Sequence, residues 1–167
     1  MSDDVNQIVA SWHRERPDLD VAPLEVWSRI RRLSRRVDEA RTAAQSAHQL
    51  ESWEFDVLAA LRRAGKPYQL TPGQLLSETF VTSGTMTNRI DRMSARGFVA
   101  RRKHPSDARL VLVELLPAGR ELVDAALADL LAAEERLLAG LNEDQRGALV
   151  GMLGDLLSSL QRSETSG

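Results

Sequence analysis

The chain contains no cysteine, and this absence excludes several kinds of site. It can form no disulfide, hold no metal through thiolates and sense no oxidant through a thiol. No apolar run approaches the roughly 20 residues that a helix needs to cross a membrane. The chain begins MSDDVNQ, which is acidic and polar, unlike the basic and then apolar start of a secretory signal. We therefore expect a cytoplasmic protein with no membrane partner.

Charge is distributed unevenly along the 167 residues, although the net charge is only −2. Residues 83–109 contain seven basic and two acidic residues, a net charge of +5, and residues 117–167 contain four and nine, a net charge of −5. A basic centre with an acidic end is expected when one surface meets a polyanion. An ordinary solvated face would also carry such charges, so this pattern alone leaves both interpretations open.

Apolar spacing predicts a mainly α-helical chain with one β-hairpin. The predicted helices span about residues 3–16, 23–49, 52–64, 71–79, 83–97, 117–138 and 142–160. Ser52 is the expected cap of the third helix, and Thr71 with Pro72 begins the fourth. The predicted strands are residues 98–103 and 110–115, with a turn between them.

Helix, turn, helix and hairpin, in this order, predict a winged helix-turn-helix with N- and C-terminal dimerisation helices. We expect residues 1–50 to form an extra helix and a dimerisation helix, residues 51–116 the DNA-binding module and residues 117–167 the C-terminal dimerisation helices. Six apolar residues of the last helix form a stripe that needs a partner: Leu149, Val150, Leu153, Leu156, Leu157 and Leu160. A second copy is the simplest partner, and folding back onto the same chain is the alternative.

The run from Thr82 to Leu122 resembles the signature region of the MarR family. The matching features are the recognition helix, Arg96-Gly97-Phe98 at its exit, Asp107 and Arg109 at the wing tip, and Pro117 and Gly119 at the next helix start. Leu116 departs from the pattern, because relatives usually have threonine there, and the following helix lacks that capping hydroxyl. The resemblance implies a homodimer that binds pseudo-palindromic double-stranded DNA and usually represses nearby genes until a small ligand binds.

The predicted DNA contacts are Ser83, Thr85, Thr87, Asn88 and Arg92 on the recognition helix, and Arg102, Lys103, His104 and Arg109 on the wing. Short polar side chains suit base edges in the major groove, and Arg92 can reach a phosphate or a guanine. Arg109 beside a turn suits the minor groove, whose negative potential attracts guanidinium. Arg102, Lys103 and His104 would contact phosphates. Each residue alone fits a solvated surface equally well; their order together predicts DNA binding.

Asp56 and Arg89 stand where the helical pattern expects apolar residues. Either charge would be costly to bury alone, so we expect the two to pair and to connect the recognition helix to the helix before it. A purely structural ion pair is one interpretation of this arrangement. An effector-sensitive pair is the other.

A closer resemblance concerns the urate-responsive, PecS-like branch of the MarR family. That branch has an extra N-terminal helix with a tryptophan, an Asp and an Arg in two helices, and an Arg at the start of the wing; here Trp12, Asp56, Arg89 and Arg101 match. The resemblance implies that urate or a related purine anion stacks on Trp12 and binds Arg89 and Arg101, repelling Asp56. Trp12 is as compatible with a core position. A phenolic or other aromatic effector is the alternative.

The sequence contains no motif of an enzyme that we recognise: no nucleophile elbow, no phosphate loop and no metal-ligand spacing among its three histidines. We expect no enzymatic activity, no cofactor and no metal. A helical dimer that does not bind DNA is the remaining class, and the basic hairpin argues against it.

Overall fold

A computed structural model describes residues 4–79, 83–103 and 110–165. Its helices are α1 (Asp4–Glu15), α2 (Pro23–Ala47), α3 (Ser52–Arg63), α4 (Pro72–Thr79), α5 (Ser83–Ala95), α6 (Pro117–Leu138) and α7 (Glu143–Thr165). Its strands are β1 (Gln69–Leu70), β2 (Val99–Lys103) and β3 (Val111–Leu115). The predicted fold, mainly α with a hairpin wing, is confirmed.

The cap of α3 differs from the prediction. Glu51, not Ser52, is the capping residue: its side chain accepts the backbone N–H of Glu54, and the Glu54 carboxylate accepts the N–H of Glu51 at 3.0 Å. This reciprocal arrangement satisfies two N–H groups that the first turn leaves unpaired. Ser52 instead donates its hydroxyl to Gln45 Oε1 at 2.7 Å, joining the start of α3 to the end of α2.

The main core lies between α3, α4, α5, α6 and the sheet. The recognition helix α5 contributes the predicted stripe of Met86, Ile90 and Met93, each no more than 1% exposed. Leu58 of α3 and Val113 of β3 are fully buried in the same cluster. Apolar residues three and four apart therefore fix which face of α5 points outward.

The three strands form an antiparallel sheet in the order β1-β3-β2. Val99 lies opposite Leu115 and Lys103 opposite Val111, as the predicted hairpin requires. Strand β1 was not predicted, because two residues are too few to show an alternating pattern. It joins the base of the hairpin to the segment between α3 and α4.

Two glycines fix how the recognition helix meets the hairpin. Gly97 has φ +73° and ends α5: its N–H donates to the Ser94 carbonyl at 3.0 Å, and the next N–H, of Phe98, donates to the Met93 carbonyl at 3.0 Å. This pair of bonds is a Schellman motif, which favours glycine at the left-handed position. Gly119 in α6 lies so close to the residue before β2 that a Cβ would stand 2.4 Å from the Phe98 carbonyl oxygen.

The flanking helices leave apolar surface uncovered. Val5 and Val9 of α1 pack with Val21 in a second small cluster, while α2 lies along α6. Leu33 of α2 is 60% exposed and Val150 of α7 is 72% exposed. Within the described ranges, no helix has both the length and the apolar character needed to cross a membrane.

Candidate DNA interface and effector cavity

One face of α5 opposite the core carries polar side chains beside a tryptophan of α3. Thr85, Asn88 and Arg92 line a recess of about 470 Å³, together with Trp53 and Arg89. The predicted contact Thr87 is exposed as well. The side chain of Ser83 and all of His104 and Arg109 lie outside the described residues.

The described part of the hairpin presents a row of basic side chains. Arg101, Arg102 and Lys103 are exposed on β2, and two of them have acidic neighbours. Arg102 Nε donates to Glu114 Oε2 at 2.5 Å, and Arg101 Nη2 lies 2.7 Å from Asp91 Oδ1. Exposed pairs of this kind stabilise a fold little, so both arginines can exchange their partners.

A cluster of four side chains joins the start of α3 to the outer face of α5. Arg92 Nη2 donates to Glu51 Oε1 at 2.5 Å, and Trp53 Nε1 donates to Glu51 Oε2 at 2.5 Å. The guanidinium carbons of Arg92 and Arg89 lie 4.8 and 5.2 Å from the centroid of the Trp53 ring. The hydrogen bonds from Trp53 and then Arg92 lower the pKa of Glu51 below its ordinary value.

A second ion pair joins the same two regions of the chain, and its carboxylate is buried. The carboxylate of Glu54 is 1% exposed and accepts two bonds from Arg96 Nη1, at 2.7 and 2.6 Å. Arg96 also donates to the Gln49 carbonyl at 3.0 Å and lies over the Phe98 ring at 4.6 Å. This pair fastens the end of the recognition helix to α3.

The predicted pair of Asp56 with Arg89 is not formed, and this prediction was wrong. Asp56 is half-exposed and accepts a hydrogen bond from Arg41 of α2, while Arg89 lies over Trp53. Neither charge is buried: Asp56 lines the cavity described below, and Arg89 lines the recess beside Trp53. The cost of burial that favoured their pairing is therefore absent.

Asp56 lines a cavity of about 430 Å³ between α2, α3, α4 and α6. Its walls combine three paired arginines, Arg41, Arg62 and Arg63, with apolar side chains. Arg62 Nε donates to Asp124 Oδ1 at 2.8 Å and Arg63 Nη2 to Glu78 Oε2 at 2.9 Å. The volume and mixed lining are typical of a small-molecule site.

The four predicted effector contacts do not converge in this structure. Asp56 lines the 430 Å³ cavity, whereas Arg89 lines the recess beside Trp53. Arg101 pairs with Asp91 on the hairpin side of α5, and Trp12 of α1 is 49% exposed. Trp12 is half-exposed, so it does not lie in the core of the chain, which was the alternative interpretation of this residue.

The described residues contain no group of three histidine, aspartate or glutamate side chains placed to hold a metal ion. His48 Nε2 lies 2.7 Å from Asp129 Oδ2 instead.

Sequence reasoning missed three residues that shape these sites. The sequence patterns gave no role in a site to Glu51, Trp53 or Arg41. The sequence signature of a capping box has Ser, Thr, Asp or Asn at the cap, so it could not have identified Glu51, although Glu54 stands at the expected third helical position. The contacts across α2, α3 and α5 have no local signal, because they join residues 15 and 41 positions apart.

Comparison with known proteins agrees with this architecture. Residues 48–110 match the family model described as MarR family. The chain is 34% identical over 151 residues to the HTH-type transcriptional regulator PecS of Dickeya dadantii, covering 90% of this chain and 91% of that protein.

Two solved structures are similar in fold. BpsR of Bordetella bronchiseptica, whose DNA binding is regulated by 6-hydroxynicotinic acid, is 29% identical with a TM-score of 0.63, over 78% of this chain and 91% of that one. A mutant MarR of E. coli complexed with operator DNA is 25% identical with a TM-score of 0.66, over 82% and 95%. Regulators of this family are not enzymes and have no cofactor. The chain belongs to the MarR family of DNA-binding transcriptional regulators.

Proposed function

We propose that this chain acts in the cytoplasm as a repressor, binds a pseudo-palindromic operator as a homodimer, and is released by urate or a related purine anion. The observation that carries the DNA contact is the outer face of α5, where Thr85, Asn88 and Arg92 lie together, opposite the buried stripe. Short polar groups on the exposed face of a helix can reach base edges in the major groove, and Arg92 adds a phosphate or guanine contact.

The wing extends this interface. Arg102 and Lys103 lie exposed near the end of β2, where they can neutralise phosphates on either side of the groove. Ser83, Thr87, His104 and Arg109 stay predicted contacts, with Arg109 expected in the minor groove.

The terminal helices supply the dimer. Residues 1–50 and 117–167 flank the DNA-binding module of residues 51–116, and both flanks leave large apolar side chains exposed. A second copy that covers Val150 and Leu157, which are 72% and 61% exposed, would remove this surface from water.

The effector acts through the 430 Å³ cavity at Asp56. An anion that binds Arg41 displaces Asp56 from it, and the change reaches the DNA through α3, because Trp53 on that helix contacts Arg89 of α5. A coupling of roughly 1–3 kcal/mol corresponds to a 5- to 150-fold loss of DNA affinity. Trp12, Arg89 and Arg101 stay predicted effector contacts.

A phenolic or other aromatic effector is the alternative, and the cavity itself favours it. Phe55, Leu127 and Leu130 form an apolar wall beside the arginines, which suits an aromatic ring with one anionic group. BpsR, which is 29% identical, responds to a compound of this class, 6-hydroxynicotinic acid.

A gel shift on the DNA upstream of the chain's own gene tests these proposals. Urate, 6-hydroxynicotinic acid and salicylate are titrated separately against the wild type and Asp56→Asn. We expect urate to release the wild type. Asp56→Asn should bind DNA more weakly before urate is added and lose less affinity with it, because the pair with Arg41 is already weakened. Asp18→Asn, in an exposed pair with Arg16, is the control. Release by an aromatic acid and not by urate favours the alternative. A complex that none of the three compounds affects contradicts the effector proposal.

The DNA contact is tested without an effector. Arg109→Ala should weaken operator binding while the melting temperature is unchanged, since the interface alone is altered.

Salt dependence is the second test. The logarithm of the wild-type binding constant should fall linearly with the logarithm of the salt concentration, with a slope of about −0.9 for each phosphate neutralised. A flat salt response would count against the basic surface as a whole.

The proposed role as a repressor is tested with a reporter gene driven by the same DNA. Expression of the reporter should increase when the gene for this chain is deleted, and decreased expression would make the chain an activator.

A further inference from the structure

Two ion pairs join the start of α3 to the end of α5, and they differ in the solvent exposure of the glutamate. Arg96 holds a carboxylate that is 1% exposed, whereas the side chains of Arg92 and Glu51 are both 54% exposed. The first pair cannot open without leaving the Glu54 carboxylate unpaired in the core. The exposed pair gains little from its Coulomb attraction and opens readily. Arg92 is therefore available for exchange with another anion, and Arg96 is not.

The surroundings of Arg92 favour a phosphate as that anion. Glu51 offers Arg92 a single oxygen at 2.5 Å, because its other oxygen accepts Trp53 Nε1 at 2.5 Å. A phosphodiester offers two free oxygens, which suit bidentate binding by guanidinium. Arg89 lies over the same tryptophan ring, so two cations face the recess that Thr85 and Asn88 also line.

Trp53 remains in place whichever anion Arg92 binds. Its ring lies 4.8 Å from the Arg92 guanidinium carbon and 5.2 Å from that of Arg89, distances at which the ring attracts a cation. Holding both arginines against one aromatic face restricts their side chains before DNA arrives, and less conformational entropy is then lost on binding.

We propose that Trp53 is a positioning residue of the DNA interface, and that Glu51 restrains Arg92 until an operator phosphate replaces it. This inference rests on the proposed contact between α5 and DNA. Glu51 then opposes binding, because it occupies the guanidinium of Arg92. Trp53 favours binding, because it orients both arginines toward the recess.

The experiment measures operator affinity at about 0.1 M salt for Glu51→Gln, Trp53→Leu, Arg92→Ala and the double variant Glu51→Gln/Arg92→Ala. Glutamine keeps an oxygen that can accept the Glu54 N–H, and leucine keeps apolar contact with the core. We expect Glu51→Gln to tighten binding roughly two- to fivefold and Trp53→Leu to weaken it roughly two- to fivefold. A purely structural role would make both variants bind more weakly, in step with their loss of melting temperature.

The control is Glu135→Gln, which removes one carboxylate from an exposed arginine pair between α6 and α7. Glu51→Gln must tighten binding more than this control, and the extra gain must vanish in the Arg92→Ala background. The proposed restraint by Glu51 is wrong if Glu51→Gln changes operator affinity no more than Glu135→Gln does. It is also wrong if Glu51→Gln still increases operator affinity in the Arg92→Ala background. In both cases the proposed DNA contact of α5 is unaffected. If Arg92→Ala binds the operator as tightly as the wild type does, the proposed contact between Arg92 and DNA is wrong.

Discussion

At the residue scale, the behaviour of an arginine depends on the burial of its partner. Arg92 and Arg96 lie one helical turn apart near the end of α5, and each pairs with a glutamate at the start of α3. Glu54 is buried and Glu51 is not. We therefore assign stability to Arg96 and DNA binding to Arg92.

Arg96→Ala tests the first assignment. It leaves the Glu54 carboxylate, 1% exposed, without its cation and removes the cover of the Phe98 ring. We expect the free energy of unfolding in urea to fall by about 3 kcal/mol, the lower end for a broken buried pair because Arg96 is itself 37% exposed. Arg92→Ala is the control, with little change in the urea midpoint. Equal losses for the two variants would contradict the assignment.

Gly119→Ala tests the contact between α6 and the hairpin. The added Cβ would lie 2.4 Å from the Phe98 carbonyl oxygen and 3.0 Å from Leu115 Cδ1, so backbone must move. We expect the free energy of unfolding to fall by about 1–3 kcal/mol, as for other overpacked sites. At Gly147 in α7 a Cβ meets no atom of the described residues within 4 Å, and Gly147→Ala should be neutral or stabilising. An unchanged urea midpoint for Gly119→Ala would show that α6 can shift freely against β2.

At the element scale, helices are fastened at their ends by polar contacts and along their lengths by apolar ones. The recognition helix ends in a Schellman motif at Gly97, beside the Glu54–Arg96 pair. Arg146 performs a similar role between α6 and α7: it donates to both oxygens of Glu135, at 2.9 and 2.7 Å, and to the Leu138 carbonyl at 3.0 Å.

The pH dependence of stability should report the link between α6 and α7. The hydrogen bond from Arg146, reinforced by its charge, lowers the pKa of Glu135 in the folded chain. Its stabilisation is therefore complete above the ordinary glutamate pKa of about 4.3 and is lost as the pH falls through the lower folded value. We expect the melting temperature of the wild type to fall more than that of Glu135→Gln between about pH 6 and pH 3. Parallel curves for the two proteins would mean that the pair contributes nothing to stability.

At the scale of the whole molecule, most of the exposed large apolar side chains lie on the terminal helices. Basic side chains occupy the outer face of α5 and the described part of the hairpin, and further arginines lie on α2. One region is suited to a polyanion and the other to a second copy of the chain. A net charge of −2 conceals this division, because the acidic C-terminal third offsets the basic centre.

Leu157→Glu tests the assembly. Leu157 is 61% exposed on α7, on the same face as Leu153 and Leu160. A glutamate there would be buried unpaired if a second copy covers this face, so we expect the dimer to dissociate or the protein to aggregate in light scattering. Ser158→Glu, about 100° around the helix from Leu157 and outside the leucine stripe, adds the same charge and should remain dimeric. A Leu157→Glu protein that keeps the wild-type mass and melting temperature would exclude α7 from the interface.

The sequence by itself determined the helices, the hairpin and the buried stripe of the recognition helix. These follow from local periodicity: Met86, Ile90 and Met93 recur at three and four residues, and the strands change to a period of two. The signature from Thr82 to Leu122 predicted the family for the same reason, since its residues are contiguous.

Only the tertiary structure decided which charges meet. Asp56 and Arg89 were expected to pair because both interrupt an apolar stripe, yet Asp56 binds Arg41 and Arg89 lies over Trp53. A long, flexible arginine side chain can reach several acidic and aromatic partners, and its interaction energies with them are similar. Small differences in helix packing therefore decide which partner it contacts. Strand β1 and the close approach at Gly119 were settled in the same way, because each depends on segments far apart in the chain that meet only after the core has formed.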